Sequence, residues 1–252
     1  MLAQQTNVDV ISNNIANMNT TAYTKRRAEF NDLLYQNIIR PGAVSTADQT
    51  VVPSGIQLGL GVRTAAVYRI TEGGGLTKTD NSLDLAIRGR GYFQIELPEG
   101  KGTGYTRDGA FQRNGDGVIV THDGYTVQPE ITIPDDAVEI YVNASGEVWV
   151  KQDGETDEVN VGQLELATFP NEAGLEAIGN NMFTETQASG APILDNPDTA
   201  GFGSILQGYL ITSNVNAVTE ITELVSAQRA YEMNSKIIST SDQMLSTINQ
   251  LK

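Results

Sequence analysis

The chain has 252 residues, of which 39% are hydrophobic, contains no cysteine and carries a formal net charge of −15. A packed core is within reach at that size, while the missing cysteines exclude disulfides, thiolate catalysis and cysteine-bound metals. The charge is uneven: residues 71–210 hold seven Lys/Arg against twenty-three Asp/Glu, residues 1–70 six against four, and residues 211–252 three against four. An acidic middle disfavours nucleic acid and anionic membranes, and two nearly neutral ends suit packing.

The N-terminal segment, residues 1–22, has a helical period. Val8, Ile11, Ile15 and Met18 fall on one stripe at spacings of three, four and three. Asn7, Asn13, Asn14, Asn17 and Asn19 fill much of the rest. Asparagine is a mediocre helix former, so such a helix is marginal alone and calls for a partner. Met1–Gln5 offers neither a basic nor an apolar signal region, which predicts a route without a cleaved Sec signal. No run approaches the roughly 18 apolar residues of a membrane span, which argues against direct membrane insertion.

Residues 23–75 read as a linker followed by a long extended arm or hairpin. Pro41-Gly42, Pro53-Ser54-Gly55, Gly59, Gly61 and Gly73-Gly74-Gly75 punctuate a stretch too long for an idle connection. Residues 76–199 change character again. Leu83–Ile87, Tyr92–Leu97, Val118–Thr121, Tyr125–Val127, Ile131–Ile133, Val138–Val142, Glu147–Val150 and Gly162–Phe169 read as short strands. Glycine-bearing turns such as Asn114–Gly117 and Asp153-Gly154 separate them, which predicts an antiparallel β domain.

Residues 200–216 read as a return linker. The last segment, 217–252, is the longest periodic one. Leu224, Tyr231, Ile238 and Leu245 recur every seven residues, and Val218, Ile221 and Val225 begin the same face. Polar residues alternate along that seam at Gln228, Ser235, Asp242 and Asn249, a pattern that suits a coiled coil whose polar positions set register. The expected class is therefore α+β: terminal helices pairing as a coiled coil, a long arm, and a central mainly antiparallel β domain.

Chemistry is hard to find. His122 is the only histidine and sits in a predicted turn tip, so neither a Ser–His–Asp set nor a histidine metal site has support. Asp135-Asp136 and the acids of 153–158 do not match a calcium loop. Gly89-Arg90-Gly91 and Gly59-Leu60-Gly61 do not continue into a phosphate-binding fingerprint. Lys25-Arg26-Arg27 is soon followed by Glu29 and Asp32, too little for nucleic acid. No catalytic residue, cofactor site or metal site is expected. A secreted enzyme lacks its acid–base constellation, and a stalked adhesin lacks its signal or anchor.

Three stretches carry a resemblance. Ile11-Ser12-Asn13-Asn14-Ile15-Ala16-Asn17 with Asn19-Thr20-Thr21-Ala22-Tyr23 resembles the N-terminal signature of bacterial flagellar axial proteins, the rod and hook family. Ser213-Asn214-Val215-Asn216 and Ala227–Lys236 resemble the closing helix of that family. Tyr105–Phe111 with Gly124-Tyr125 is similar to its β domain. The arm from Pro53 to Val62, together with Gln207-Gly208-Tyr209, is most similar to the distal rod branch rather than to the proximal rod or hook-type subunits. Two departures stand out. Ala22 occupies a position where the family pattern has glycine, and Met1–Gln5 reads as the inside of a helix that extends further upstream in the family.

The resemblance implies a structural, non-enzymatic subunit of the basal-body rod crossing the periplasm, exported unfolded by the flagellar type III apparatus. It implies a helical homopolymer that transmits torque, with proximal rod proteins and hook protein at its two ends and ring or bushing proteins around it. Expected assembly contacts are Val8, Ile11, Ile15, Met18, Ile221, Leu224, Tyr231, Ile238 and Leu245. Tyr35, Pro53, Ile56, Leu58 and Leu60 of the arm are expected to brace neighbouring subunits.

Overall fold

The computed structural model describes residues 1–42, 54–98, 102–154 and 157–250. They divide into two compact units, one of residues 1–16, 26–69 and 216–252, the other of 17–25 and 70–215.

The first unit holds helix α1 (Leu2–Ala16), strands β1 (Arg26–Asp32), β2 (Tyr35–Ile39), β3 (Ile56–Gly59) and β4 (Val62–Arg69), and helix α2 (Ala217–Gln250). α2 starts at Asn216, whose Oδ1 accepts from Val218 N at 3.1 Å and Thr219 N at 3.2 Å. These bonds satisfy two orphan donors of the first turn. With no Gly or Pro inside it, α2 then runs for about 50 Å at ~1.5 Å per residue. α1 runs antiparallel to it: Asn14 meets Glu220 at one end, while Gln5 and Val8 line a hollow with Gln228, Tyr231 and Glu232 at the other.

α1 ends earlier than the stripe through Met18 predicts. Thr20 N donates to Asn17 O, and the Thr20 hydroxyl pairs with Asn17 Oδ1. Local polar partners of this kind compete with helical bonding. Ala22 then takes a left-handed backbone at φ 55°, the conformation that explains glycine there in the family pattern. Met18, 40% exposed, thus lies past the helix and belongs with residues 17–25 to the second unit.

β1 and β4 pair antiparallel from Arg26↔Arg69 to Asp32↔Val62, with a bulge at Glu29/Phe30. β2 and β3 continue from Tyr35↔Gly59 to Ile39↔Ile56. Leu33 N donates to Gly61 O and Leu60 N to Leu34 O, which joins the two pairs into one ribbon. Fourteen residues out and back span about 45 Å at ~3.3 Å per residue.

The second unit contains β5 (Leu76–Lys78), β6 (Leu85–Arg88), β7 (Tyr92–Glu96), β8 (Thr103–Thr106), β9 (Gln112–Arg113), β10 (Ile119–Val120), β11 (Val127–Gln128) and β12 (Ala137–Val142). It continues with β13 (Glu147–Gln152), β14 (Glu158–Gln163), β15 (Leu166–Thr168), β16 (Glu176–Gly179), β17 (Met182–Thr184), β18 (Ile193–Asp195), β19 (Ser204–Gln207) and β20 (Tyr209–Ile211). The central sheet runs β16-β17-β8-β7-β15-β18, with β11 also on β7. A three-stranded sheet, β12-β13-β14, and the pairs β6–β19, β5–β20 and β9–β10 complete the unit, all antiparallel.

Its core is fully buried: Leu85, Phe93, Phe111, Ile133, Val148, Leu164, Leu166 and Ile205 form one cluster. Phe93 and Phe111 meet edge to face at 5.0 Å, the arrangement the ring quadrupoles prefer. Gly109 sits so close to Leu85 that a Cβ would overlap the Leu85 carbonyl oxygen, and its own carbonyl accepts from Leu85 N at 2.9 Å.

Three sequence expectations change. The segment 200–216 is more than a linker, since β19 and β20 complete pairs with β6 and β5 and bury Ile205. Gly162–Phe169 divides into β14 and β15 because the chain crosses between sheets there, with Leu164 N bound to Gly146 O. Ile131 and Ile133 are buried on either side of exposed Thr132, and the segment forms an isolated bridge from Thr132 to Val118 rather than a strand, between Pro129 and Pro134, which lack amide donors.

Candidate assembly surfaces

The face that α1 turns to α2 is small. Ala3 and Ile11 are buried on α1, Ala227 is buried on α2, and Val8, Ile15 and Leu224 are half-buried. Tyr231, 42% exposed, lines the hollow with Gln5 and Val8. Ile221, Ile238 and Leu245 are 50%, 50% and 61% exposed. The apolar surface of α2 is therefore much wider than the part covered by its own chain. From Met233 to Ile248 it presents Met233, Ile237, Ile238, Met244, Leu245 and Ile248 at 50–64% exposure.

Two polar residues lie inside this interface. Asn14 is 2% exposed and Glu220 is 4% exposed. Asn14 Nδ2 donates to Glu220 Oε2 at 3.1 Å and to Arg26 O at 2.9 Å, and Asn14 Oδ1 accepts from Arg26 N at 2.9 Å. One amide thus holds α1, the start of β1 and the first turns of α2 together. The sequence hint is modest: Asn14 follows Ile11 by three and so shares its face.

The ribbon is exposed on both faces. Tyr35, Ile56, Leu58 and Leu60 are 54%, 49%, 54% and 61% exposed, alongside Leu34 at 82% and Ile38 at 59%. Pro53 lies outside the described residues. The Asp32 carboxylate raises the Tyr35 phenol above its ordinary range, first through a hydrogen bond and then through its charge. A two-stranded ribbon is marginal in water alone, and exposed apolar surface of this extent is a candidate interaction surface.

In the second unit, three separate chain passages meet at Asn214. Its Oδ1 accepts from Lys25 N at 2.7 Å, its Nδ2 donates to Ile70 O at 3.1 Å and Glu72 O at 2.8 Å, and its backbone N donates to Tyr23 O at 3.3 Å. Arg107 works beside it. Arg107 is 7% exposed, donates to Thr71 O and Gly89 O, and lies over the Tyr92 ring at 5.7 Å.

His122 is exposed, and its Nδ1 lies 3.3 Å from Gln112 Nε2. The hollow it shares with Thr106, Asp108, Asp123 and Asn180 has a volume of only 40 Å³. Among the described residues, no group of three His, Asp or Glu side chains could hold a metal ion. No described helix is long and apolar enough to cross a membrane.

Three segments of the chain match known families. Residues 1–24 match the flagella basal body rod protein family, residues 86–150 the D1 domain of the flagellar hook protein FlgE/F/G family, and residues 206–251 the C-terminal region of the flagellar basal body rod FlgEFG proteins. The flagellar basal-body rod protein FlgG of Caulobacter vibrioides is 59% identical over all of this chain and 96% of its own length. That of Agrobacterium fabrum is 52% identical, over 99% of this chain and 95% of its own. The Bacillus subtilis FlgG is 39% identical over 98% and 94%. Similarity therefore extends through helices, ribbon and β unit alike, and the chain belongs to the FlgG family of flagellar basal-body rod proteins.

Proposed function

We propose that this chain polymerises into the distal part of the flagellar rod, as a helical tube that transmits torque from motor to hook. The observation that carries this reading is the apolar face of α2 beyond its contact with α1, exposed from Met233 to Ile248. Hydrophobic side chains at that density favour burial by about 25 cal/mol per Å². Neighbouring copies supply the missing surface if α1 and α2 join a larger coiled coil, with residues 217–252 in the inner layer. The ribbon, residues 35–60, then braces adjacent subunits. One heterologous contact repeated about a screw axis gives an open tube.

Marginal terminal helices suit a subunit that passes unfolded through the type III channel and orders on docking, because coupled folding and binding delays assembly until partners are present. The same placement puts proximal rod proteins and hook protein at the ends of the polymer, ring or bushing proteins around it, and the whole in the basal body across the periplasm.

Ile238→Asp tests the reading. Ile238 is 50% exposed in the single chain, so the monomer keeps its circular dichroism spectrum and denaturation midpoint. Fibres seen by electron microscopy of the concentrated parent protein disappear in the variant. Fibres of normal length from Ile238→Asp overturn the assignment of this face to assembly.

A further inference from the structure

We propose that the buried Asn14–Glu220 hydrogen bond is a positioning element that sets the register of α1 against α2, and with it the geometry in which copies of the chain assemble. The second half of this statement rests on the rod-subunit reading; the first does not.

The apolar part of the α1–α2 contact specifies register weakly. The buried apolar residues of the two helices are Ala3, Ile11 and Ala227, two of which are too small to form a distinctive knob. Apolar contact is non-directional, and a slide of one turn, about 5.4 Å, exchanges one aliphatic neighbour for another. The polar pair does not tolerate that slide. Glu220 is 4% exposed and its carboxylate accepts from Asn14 Nδ2. Moving α1 by a turn leaves a buried carboxylate without its donor, one of the costlier defects in a fold.

Asn14 is prepared for this role. Its Oδ1 is engaged by Arg26 N and one hydrogen of its Nδ2 by Arg26 O, which leaves the second hydrogen aimed at Glu220. The amide is thus oriented by β1 before α2 is considered. Glu220 lies in the first turns of α2, where its own N–H bonds to Asn216 O and the helix dipole favours a negative charge. A single buried polar residue that fixes register at some cost in stability is a known device of helical assemblies.

The test uses the full chain with two substitutions, Glu220→Gln and Glu220→Leu. Gln keeps an acceptor for Asn14 Nδ2. Leu removes it, while Asn14 retains both bonds to Arg26. Because the parent has no cysteine, register can be read by disulfide trapping of Gln5→Cys against Gln228→Cys and, separately, Glu232→Cys, two positions one turn apart on α2. The parent and Glu220→Gln should share one strongly unequal ratio of trapping rates. In Glu220→Leu the ratio should fall toward unity, while the helical circular dichroism and the denaturation midpoint stay level or rise. Fibres of Glu220→Leu should show mixed helical parameters by electron microscopy where the parent shows one set.

An unchanged trapping ratio in Glu220→Leu overturns the register claim. Loss of helical signal in that variant also overturns it, because the pair would then serve stability instead. A parent chain that fails to form fibres counts against the rod reading, and trapping in the monomer still decides the register.

Discussion

Asp108 shows how a single carboxylate records its surroundings. Burial pushes its pKa above the ordinary carboxylate range. The Ala110 N–H, the charge on His122 and the Asn181 side chain oppose that shift, and Asp84 adds to it. A carboxyl raised in the fold contributes most below its unfolded pKa of about 3.9. That contribution is lost as pH rises through the folded value, so the ionised form weighs against the fold at neutrality. Asp108→Asn keeps an acceptor for Ala110 N, bound at 3.1 Å, and removes the charge. Its urea midpoint should exceed the parent's at about pH 7 and match it at about pH 3, followed by the fluorescence of Trp149. Equal midpoints at both pH values would show that burial of the charge is not what shifts the group. Asn14 and Asn214 are the opposite case, since their side-chain amides donate and accept across distant parts of the chain.

At the scale of elements, what the sequence reveals follows from how local the cause is. α2 is readable because an unbroken 3.6-residue period runs without Gly or Pro, and its start is marked by Asn216. β7, β12 and β13 are readable from compact β-rich runs between turns. β16 and β18 are not, because Glu176–Gly179 and Ile193–Asp195 are exposed throughout and show no alternation. β19 and β20 are hidden for another reason: their partners, β6 and β5, lie more than a hundred residues earlier. The Asn14–Glu220 bond spans 206 positions, and no local period can announce it. Exposure of the heptad positions Ile238 and Leu245 is likewise a fact of the single chain that periodicity alone does not distinguish from burial.

The ribbon invites its own test at this scale. Leu34, Leu58 and Leu60 are 82%, 54% and 61% exposed, so Ser at all three positions removes no intrachain burial of consequence. Each surface substitution should change monomer stability by no more than about 0.5 kcal/mol. Fibre yield in a sedimentation assay should nevertheless fall severalfold if neighbouring copies cover these side chains. A triple variant that pellets like the parent would remove the ribbon from the assembly surface.

For the whole molecule, charge and apolar surface act in opposite directions. Each copy carries −15, with the acids concentrated in residues 71–210, so an assembly that buries the α2 face would also concentrate like charge. The apolar gain changes little with moderate sodium chloride, whereas the repulsion depends on screening. The Debye length is about 30 Å at 0.01 M and about 8 Å at 0.15 M. Repulsion between neighbouring acidic units should therefore set the critical concentration at low salt and matter little above physiological ionic strength. The critical concentration, read from the supernatant after ultracentrifugation, should fall severalfold over that interval and then level off toward about 1 M, where the screening length has only ~5 Å left to lose. Sucrose at the same osmolality leaves the charges unscreened and should not reproduce the early drop. A critical concentration that is flat or rises from low to physiological salt would mean that the acidic surfaces do not face one another in the polymer.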